Sequence, residues 1–157
     1  MPIEIERKFI AHPSVLALCR SGTHFVQGYL YTDEANTIRI RQAADRTLIT
    51  WKSPRRGACR DEVEFAIAPE DGAVLLAGVP PGRRLEKTRY RITHDGAVWD
   101  VDVFDGGLAG LILAEIELDH EDQPVVLPPW VGREVTADAR YRNSRLAAGA
   151  LPEQQAA

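Results

Sequence analysis

Seven stretches of this chain alternate apolar and polar residues with a period of two, and on the polar side almost every residue is charged. They run from Ile3 to Ile10, Thr37 to Arg41, Leu48 to Lys52, Glu62 to Ile67, Lys87 to Ile92, Val98 to Phe104 and Leu111 to Leu118. Successive residues of a β-strand point to opposite faces, so each stretch divides in two. Glu4, Glu6 and Lys8 oppose Ile3, Ile5, Arg7 and Phe9; Arg39 and Arg41 oppose Ile38 and Ile40; Thr50 and Lys52 oppose Ile49 and Trp51. Downstream, Glu62 and Glu64 oppose Val63 and Phe65, and Lys87, Arg89 and Arg91 oppose Thr88, Tyr90 and Ile92. Asp100 and Asp102 oppose Trp99, Val101 and Val103, while Glu115 and Glu117 oppose Ala114, Ile116 and Leu118.

An open antiparallel sheet with its charged side in water is the ordinary use of such a pattern. Solvated faces, however, usually mix Thr, Ser, Gln and Lys. Here like charges recur two residues apart, and these repel unless a counter-charge lies between them. Closing the sheet into a barrel turns acidic and basic strands toward one another across a lumen and leaves the apolar faces for helices to cover in part. Breakers at Ser21-Gly22, Ser53-Pro54, Pro80-Pro81-Gly82, Asp95-Gly96, Asp105-Gly106-Gly107 and Pro128-Pro129 suit hairpins and meanders. Helical signals are fewer: Ser14 to Cys19 behind Pro13, Pro69 to Ala77, and about Asp138 to Ala148. The expected class is α+β, mainly β. Residues 1–151 are expected to form one domain and 152–157 a flexible tail, since 157 residues suit a single core.

A lumen walled by both signs of charge is costly to bury unless the charges pair, stay hydrated, or meet a metal and a polyanion. Arginine offers phosphate a bidentate fork and lysine a point charge. Carboxylates suit Mg²⁺ or Mn²⁺, hard cations that prefer oxygen. The implied ligand is a metal–phosphate. A net charge of −4 argues against a general nucleic-acid binder. The N-terminal MPIEIERKFI has charges where a signal peptide needs an apolar run, and no long apolar segment follows, so no membrane association and a cytoplasmic location are expected. Cys19 and Cys59 lack metal-type spacing and are expected to be reduced. The histidines share no ligand spacing and fall near turns, and Trp51, Trp99 and Trp130 read as packing residues.

These residues resemble a known family. EIERKF at Glu4 to Phe9 is similar to the ExExK signature of the CYTH superfamily, the triphosphate tunnel metalloenzymes. The likeness continues in order through QGYL (Gln27 to Leu30), RIR (Arg39 to Arg41), TWKS (Thr50 to Ser53), EVEF (Glu62 to Phe65) and EKTRY (Glu86 to Tyr90). It extends through WDVDVFDG (Trp99 to Gly106) and AEIEL (Ala114 to Leu118) to WVGREVT and RYRNSRLA. The resemblance implies an eight-stranded antiparallel closed β-barrel that hydrolyses or rearranges triphosphate compounds with Mg²⁺ or Mn²⁺. By motif, Glu4, Glu6, Asp102, Glu115 and Glu117 resemble its metal-binding carboxylates, and Lys8, Arg39, Arg41, Lys52 and Arg89 its triphosphate-holding residues. Tyr29 and Lys87 match positions that assist proton handling, although a wall tyrosine that merely hydrogen-bonds a neighbouring strand fits Tyr29 equally. Glu62 and Glu64 would either join a second metal or balance the arginines of an empty tunnel, the second being favoured.

Among the family's activities the expected one is hydrolysis of inorganic triphosphate to pyrophosphate and phosphate. The alternatives are nucleoside or thiamine triphosphate hydrolysis, class IV adenylate cyclase chemistry, and polyphosphate binding without turnover. A homodimer is the commonest state for soluble oligomers.

Overall fold

In the computed structural model, which describes residues 3–33, 36–149 and 151–152, the charged strands do close on themselves. The strands are β1 (Ile3–Ala11), β2 (Thr23–Thr32), β3 (Thr37–Gln42), β4 (Thr47–Lys52), β5 (Cys59–Ile67), β6 (Arg84–His94), β7 (Ala97–Phe104), β8 (Ile112–Glu117) and β9 (Val131–Glu134). Their order is β5-β4-β3-β2-β6-β7-β8-β1, all neighbours antiparallel, and a β1–β5 pairing completes an eight-stranded barrel. One edge of β1 is shared. Ile3 to Ile5 pair with Asp61 to Cys59 and close the barrel, while Phe9 and Ala11 pair with β9 across a register shift.

β2 and β9 escaped the alternation pattern, for different reasons. β2 is buried on both faces at its centre, with Gln27 and Tyr29 inside and Gly28 beneath helix α1 (Pro69–Ala77), which blurs the period of two. β9 has four residues, too few for a period to register. α1 has the expected bounds and lies against β2, β3 and β4. Its Gly72 sits so close to Thr47 that an added Cβ would fall 2.3 Å from the threonine Cγ2.

The other two helical expectations are corrected. Pro13–Leu18 is a 3-10 helix, with Pro13 in its first turn and the His12 side chain accepting from the Ser14 N–H. The C-terminal segment is not one helix but a 3-10 turn (Ala139–Tyr141) and a four-residue α2 (Asn143–Leu146), separated by an extended Arg142 (φ −67°, ψ 136°). In a continuous helix Tyr141 and Leu146 would point ~140° apart. The break lets both bury in one apolar cluster, at 0% and 1% exposure. Residues 153–157 of the expected tail lie outside the described residues.

Apolar packing occurs on two sides of the wall. Outside, Trp99 meets Phe9 and Trp130 edge-on at centroid distances of 5.7 and 5.8 Å, with Val15, Val101, Ala114 and Ile116 around them. Inside, Tyr29, Leu85, Phe104, Leu111 and Leu113 join Tyr141 and Leu146. The barrel is thus charged over only part of its length, and the C-terminal segment helps fill the rest.

Candidate active site

Above that apolar stopper the inward side chains of all eight barrel strands enclose a cavity of 740 Å³. Glu4, Glu6 and Lys8 come from β1, Tyr29 from β2, Arg39 and Arg41 from β3, and Lys52 from β4. Glu62 and Glu64 project from β5, Lys87 and Arg89 from β6, Asp100 from β7, and Glu115 and Glu117 from β8. The alternation that set charged against apolar residues therefore points the charged ones inward, and register does the rest: Glu6 stands opposite Glu117, Lys8 opposite Glu115, and Arg89 opposite Asp102.

Most of these charges are paired across strands. Lys52 Nζ lies 2.7 Å from Glu4 Oε2 and 3.3 Å from Glu62 Oε2, and donates to Glu4 Oε1 at 3.1 Å; the contact with Oε2 lacks hydrogen-bond direction. Lys8 Nζ is 3.5 Å from Glu115, and Arg39 is 3.6 Å from Glu64, whose carboxylate also accepts from the Thr50 hydroxyl at 2.7 Å. Both Glu62 and Glu64 thus stand beside a cation.

Asp102 is the most deeply held carboxylate, at 0% exposure. It accepts from Lys87 at 2.6 Å and from Arg89 at 2.7 and 2.9 Å. Burial alone would raise its pKa; Arg89 and Lys87 more than reverse this and hold it well below the usual carboxylate range. Its oxygens are used by the wall itself, and it does not line the cavity with Glu4, Glu6, Glu115 and Glu117. Burial pushes the Lys87 ammonium down to about 7, against the pull of Asp102.

Arg41 is different. Its Nε donates to Gln27 Oε1 at 3.0 Å and its guanidinium lies 4.5 Å from the Phe25 ring, yet among the described residues no carboxylate lies within 4.0 Å. Burial, then Arg39 and Arg89, lower its pKa to about 9. It is a half-buried cation with no carboxylate in contact among the described residues.

The opposite imbalance occurs at Glu117. Its carboxyl is raised by burial and by Glu4, Glu6 and Asp100. Among the described residues no three acidic, histidine or cysteine side chains converge tightly enough to form a metal cage by themselves, and Glu4 and Glu6 are each paired with a cation. The donor set nevertheless fits a hard divalent cation. It is all carboxylate, and the mutual repulsion that raises Glu117 is what a bound cation would relieve.

Tyr29 and Lys87 are linked indirectly. Gln27 Nε2 donates to the Tyr29 hydroxyl at 3.2 Å and to Asn143 Oδ1 at 3.3 Å, and Lys87 donates to the same Asn143 oxygen at 2.9 Å. Gln27 and Asn143 were not singled out as site residues, nor were Asp100, Arg55 and Arg60. Arg55 bonds Glu6 at 2.9 Å and Arg60 donates to the Ser53 carbonyl at 3.0 Å. The arginine density of SPRRGACR was the available signal, but Arg55 precedes β5 and no strand period assigns it a face.

A family model described as the CYTH domain matches residues 2–146. An inorganic triphosphatase of Acetivibrio thermocellus is 37% identical over 143 residues, covering 91% of this chain and 92% of that protein. One from Nitrosomonas europaea is 40% identical over 151 residues, covering 92% and 96%. The crystal structure of an inorganic triphosphatase superposes with a TM-score of 0.66 at 37% identity, covering 94% of this chain and 99% of that one. A Pyrococcus horikoshii protein shares the fold alone, with a TM-score of 0.57 at 16% identity over 76% of this chain and 81% of its own.

Proposed function

The chain belongs to the CYTH domain family, and from that premise we propose that it hydrolyses inorganic triphosphate to pyrophosphate and phosphate within its barrel, using Mg²⁺ or Mn²⁺. One observation carries the reading: the main cavity sets a group of basic side chains, among them Arg41 with no carboxylate in contact among the described residues, against a repelling carboxylate group at Glu4, Glu6 and Glu117. A polyanion satisfies the first and a divalent cation the second.

In this account Lys8, Arg39, Arg41, Lys52 and Arg89 hold the triphosphate. Arg41 forms an ion pair with a phosphoryl oxygen, Lys8, Arg39 and Lys52 exchange a carboxylate for phosphate, and Arg89 meets phosphate while Asp102 keeps hold of its guanidinium. Asp102 fixes Arg89 and Lys87 in place rather than meeting the metal, because all its bonding is directed at them. Glu4, Glu6, Glu115 and Glu117 would hold the divalent cation, which would supply charge neutralisation and Lewis acidity there. Glu62 and Glu64 balance Lys52 and Arg39 in the empty tunnel.

Hydrolysis forms a bond from the water oxygen to the terminal phosphorus as the bridging P–O bond breaks. The bridging oxygen leaves with pyrophosphate, and each product takes one of the water protons. Lys87, poised near neutral pH, holds or releases a proton at Nζ, and the Asn143–Gln27 bridge connects it to the Tyr29 hydroxyl. Most of the rate enhancement comes from positioning and charge stabilisation, as in other phosphoryl transfers.

The test is replacement of Glu4 and Glu117 separately by Gln. Metal-dependent phosphate release from triphosphate should fall at least ~100-fold in each while the folded circular-dichroism spectrum is retained. Full activity in both variants removes the carboxylates from the mechanism.

A further inference from the structure

The barrel has a second opening. A cavity of 580 Å³ lies at the end formed by the β3–β4 turn and the start of β2, and it shares Arg41, Glu64, Arg89 and Asp100 with the main cavity. Arg20, Arg46 and Arg91 stand on its rim, and Phe25 lies between rim and lumen. The lining therefore includes five arginines, Arg20, Arg41, Arg46, Arg89 and Arg91, against three acids, Asp45, Glu64 and Asp100.

Two features make this more than a solvated rim. First, Arg41 is exposed to both cavities, carries no carboxylate partner among the described residues, and is pressed on Phe25, whose ring also lies 5.4 Å from the Arg89 guanidinium. Phe25 thus forms an aromatic partition with two cationic groups stacked on it. Second, Arg20 and Arg46 form no ion pair among the described residues, while Arg91 reaches Asp100 only at 3.7 Å with its side chain 75% exposed. A small anion leaving the lumen past Phe25 passes from Arg41 and Arg89 to arginines held only weakly, Arg91 by its long contact with Asp100 and Arg20 by one bond to the Cys19 carbonyl.

We propose that this second mouth is an orthophosphate subsite on the product's way out: the terminal phosphoryl group faces it, and the phosphate released there leaves without displacing pyrophosphate. The inference rests on the triphosphatase reading and adds to it a direction for the substrate and a separate path for each product. Orthophosphate fits the chemistry as a compact dianion suited to bidentate guanidinium contacts.

The experiment is calorimetric titration of inorganic phosphate into the metal-free protein whose lumen is saturated with imidotriphosphate, a triphosphate with non-hydrolysable nitrogen bridges. Phosphate should bind this complex. The Arg46→Glu/Arg91→Glu variant, altered at two exposed rim positions, should bind it about ten-fold more weakly or worse, with imidotriphosphate affinity within about two-fold of wild type. In turnover, orthophosphate should inhibit non-competetively against triphosphate in the wild type and lose that component in the variant. Absence of phosphate binding to the saturated complex, purely competitive inhibition, or an unchanged isotherm in the variant overturns the subsite. Since the titration reads binding, these outcomes are distinct from failure of the hydrolase reading, which shows as no phosphate release from triphosphate at any metal concentration.

Discussion

Replacing Asp102 by Asn tests how the wall holds its charges. The substitution keeps the shape of the side chain and removes the one carboxylate that accepts from both Lys87 and Arg89, three hydrogen bonds of 2.6 to 2.9 Å at a site with 0% exposure. Removing one partner of a buried ion pair typically costs ~3–5 kcal/mol, because the other charge is left without compensation. Total stability of a domain is about 5–15 kcal/mol, so this loss is a large fraction of it. The pH dependence should change as well. In the native protein Asp102 titrates well below the ordinary aspartate value of 3.8, so its contribution is complete above that pH and is lost as pH falls toward the folded value. Lys87 shows the reverse: the unfolded chain keeps that proton to about 10.5 and the folded chain releases it near about 7, so stability rises with pH between those values. Without Asp102 the Lys87 pKa drops further, and the rise should begin below pH 7 with a slope of up to ~1.4 kcal/mol per unit. Urea unfolding of wild type and Asp102→Asn from pH 3 to 9 measures all of this. A loss under ~1 kcal/mol at pH 7, or a gap that does not narrow below pH 4, refutes the reasoning. The double variant Asp102→Asn/Lys87→Met should recover part of the loss, since an apolar replacement removes the buried amine that has lost its carboxylate partner.

Three further outcomes follow from the same geometry. Arg41→Met should raise the unfolding free energy of the ligand-free protein by up to ~1 kcal/mol, by removing a half-buried charge that has no carboxylate in contact among the described residues, while triphosphate affinity falls at least ~ten-fold; thermal melts with and without ligand check both signs. Glu117→Gln should stabilise the metal-free protein slightly and abolish the stabilisation that added Mg²⁺ or Mn²⁺ gives the wild type, since the raised Glu117 carboxyl reports repulsion from burial beside Glu4 and Glu6. Gly72→Ala should destabilise by ~1–3 kcal/mol despite alanine's higher helix propensity, because its Cβ would meet the buried Thr47 methyl at 2.3 Å; chemical denaturation measures it.

Much of the barrel was legible because a period of two is a direct statement about faces. The charged residues that alternate in β1, β3, β4, β5 and β8 point into the cavity, and the apolar residues opposite them in β1, β7 and β8 pack in the outer core, whereas Val63 and Phe65 of β5 stay exposed. Where both faces of a strand are buried, as at Gly28 and Tyr29 of β2, the period carries less information. Which inward charges stay accessible was not legible either. Asp102 and Glu115 read alike in sequence, yet register sets Asp102 beside Arg89 and leaves Glu115 on the cavity wall. Arg55 lies before a strand and Asn143 after a helix break, places where alternation says nothing; Arg60 shares the inward parity of Glu62 and Glu64, but its neighbours Cys59 and Asp61 give that end of β5 no apolar face to mark it. The inner apolar stopper was hidden for a third reason: Leu111 and Leu113 share the inward face with Glu115, but their apolar partners come from distant segments such as Tyr141 and Leu146.

The most direct test of the central claim is a phosphate-release assay on the purified protein with triphosphate, pyrophosphate, ATP and thiamine triphosphate, each with Mg²⁺ and with Mn²⁺, and with products resolved by phosphorus NMR. The account predicts metal-dependent conversion of inorganic triphosphate to equal amounts of pyrophosphate and phosphate, with kcat/KM at least ~100-fold above that for the other three. Tight triphosphate binding without turnover under every metal condition, or preferential hydrolysis or cyclisation of a nucleotide, contradicts it.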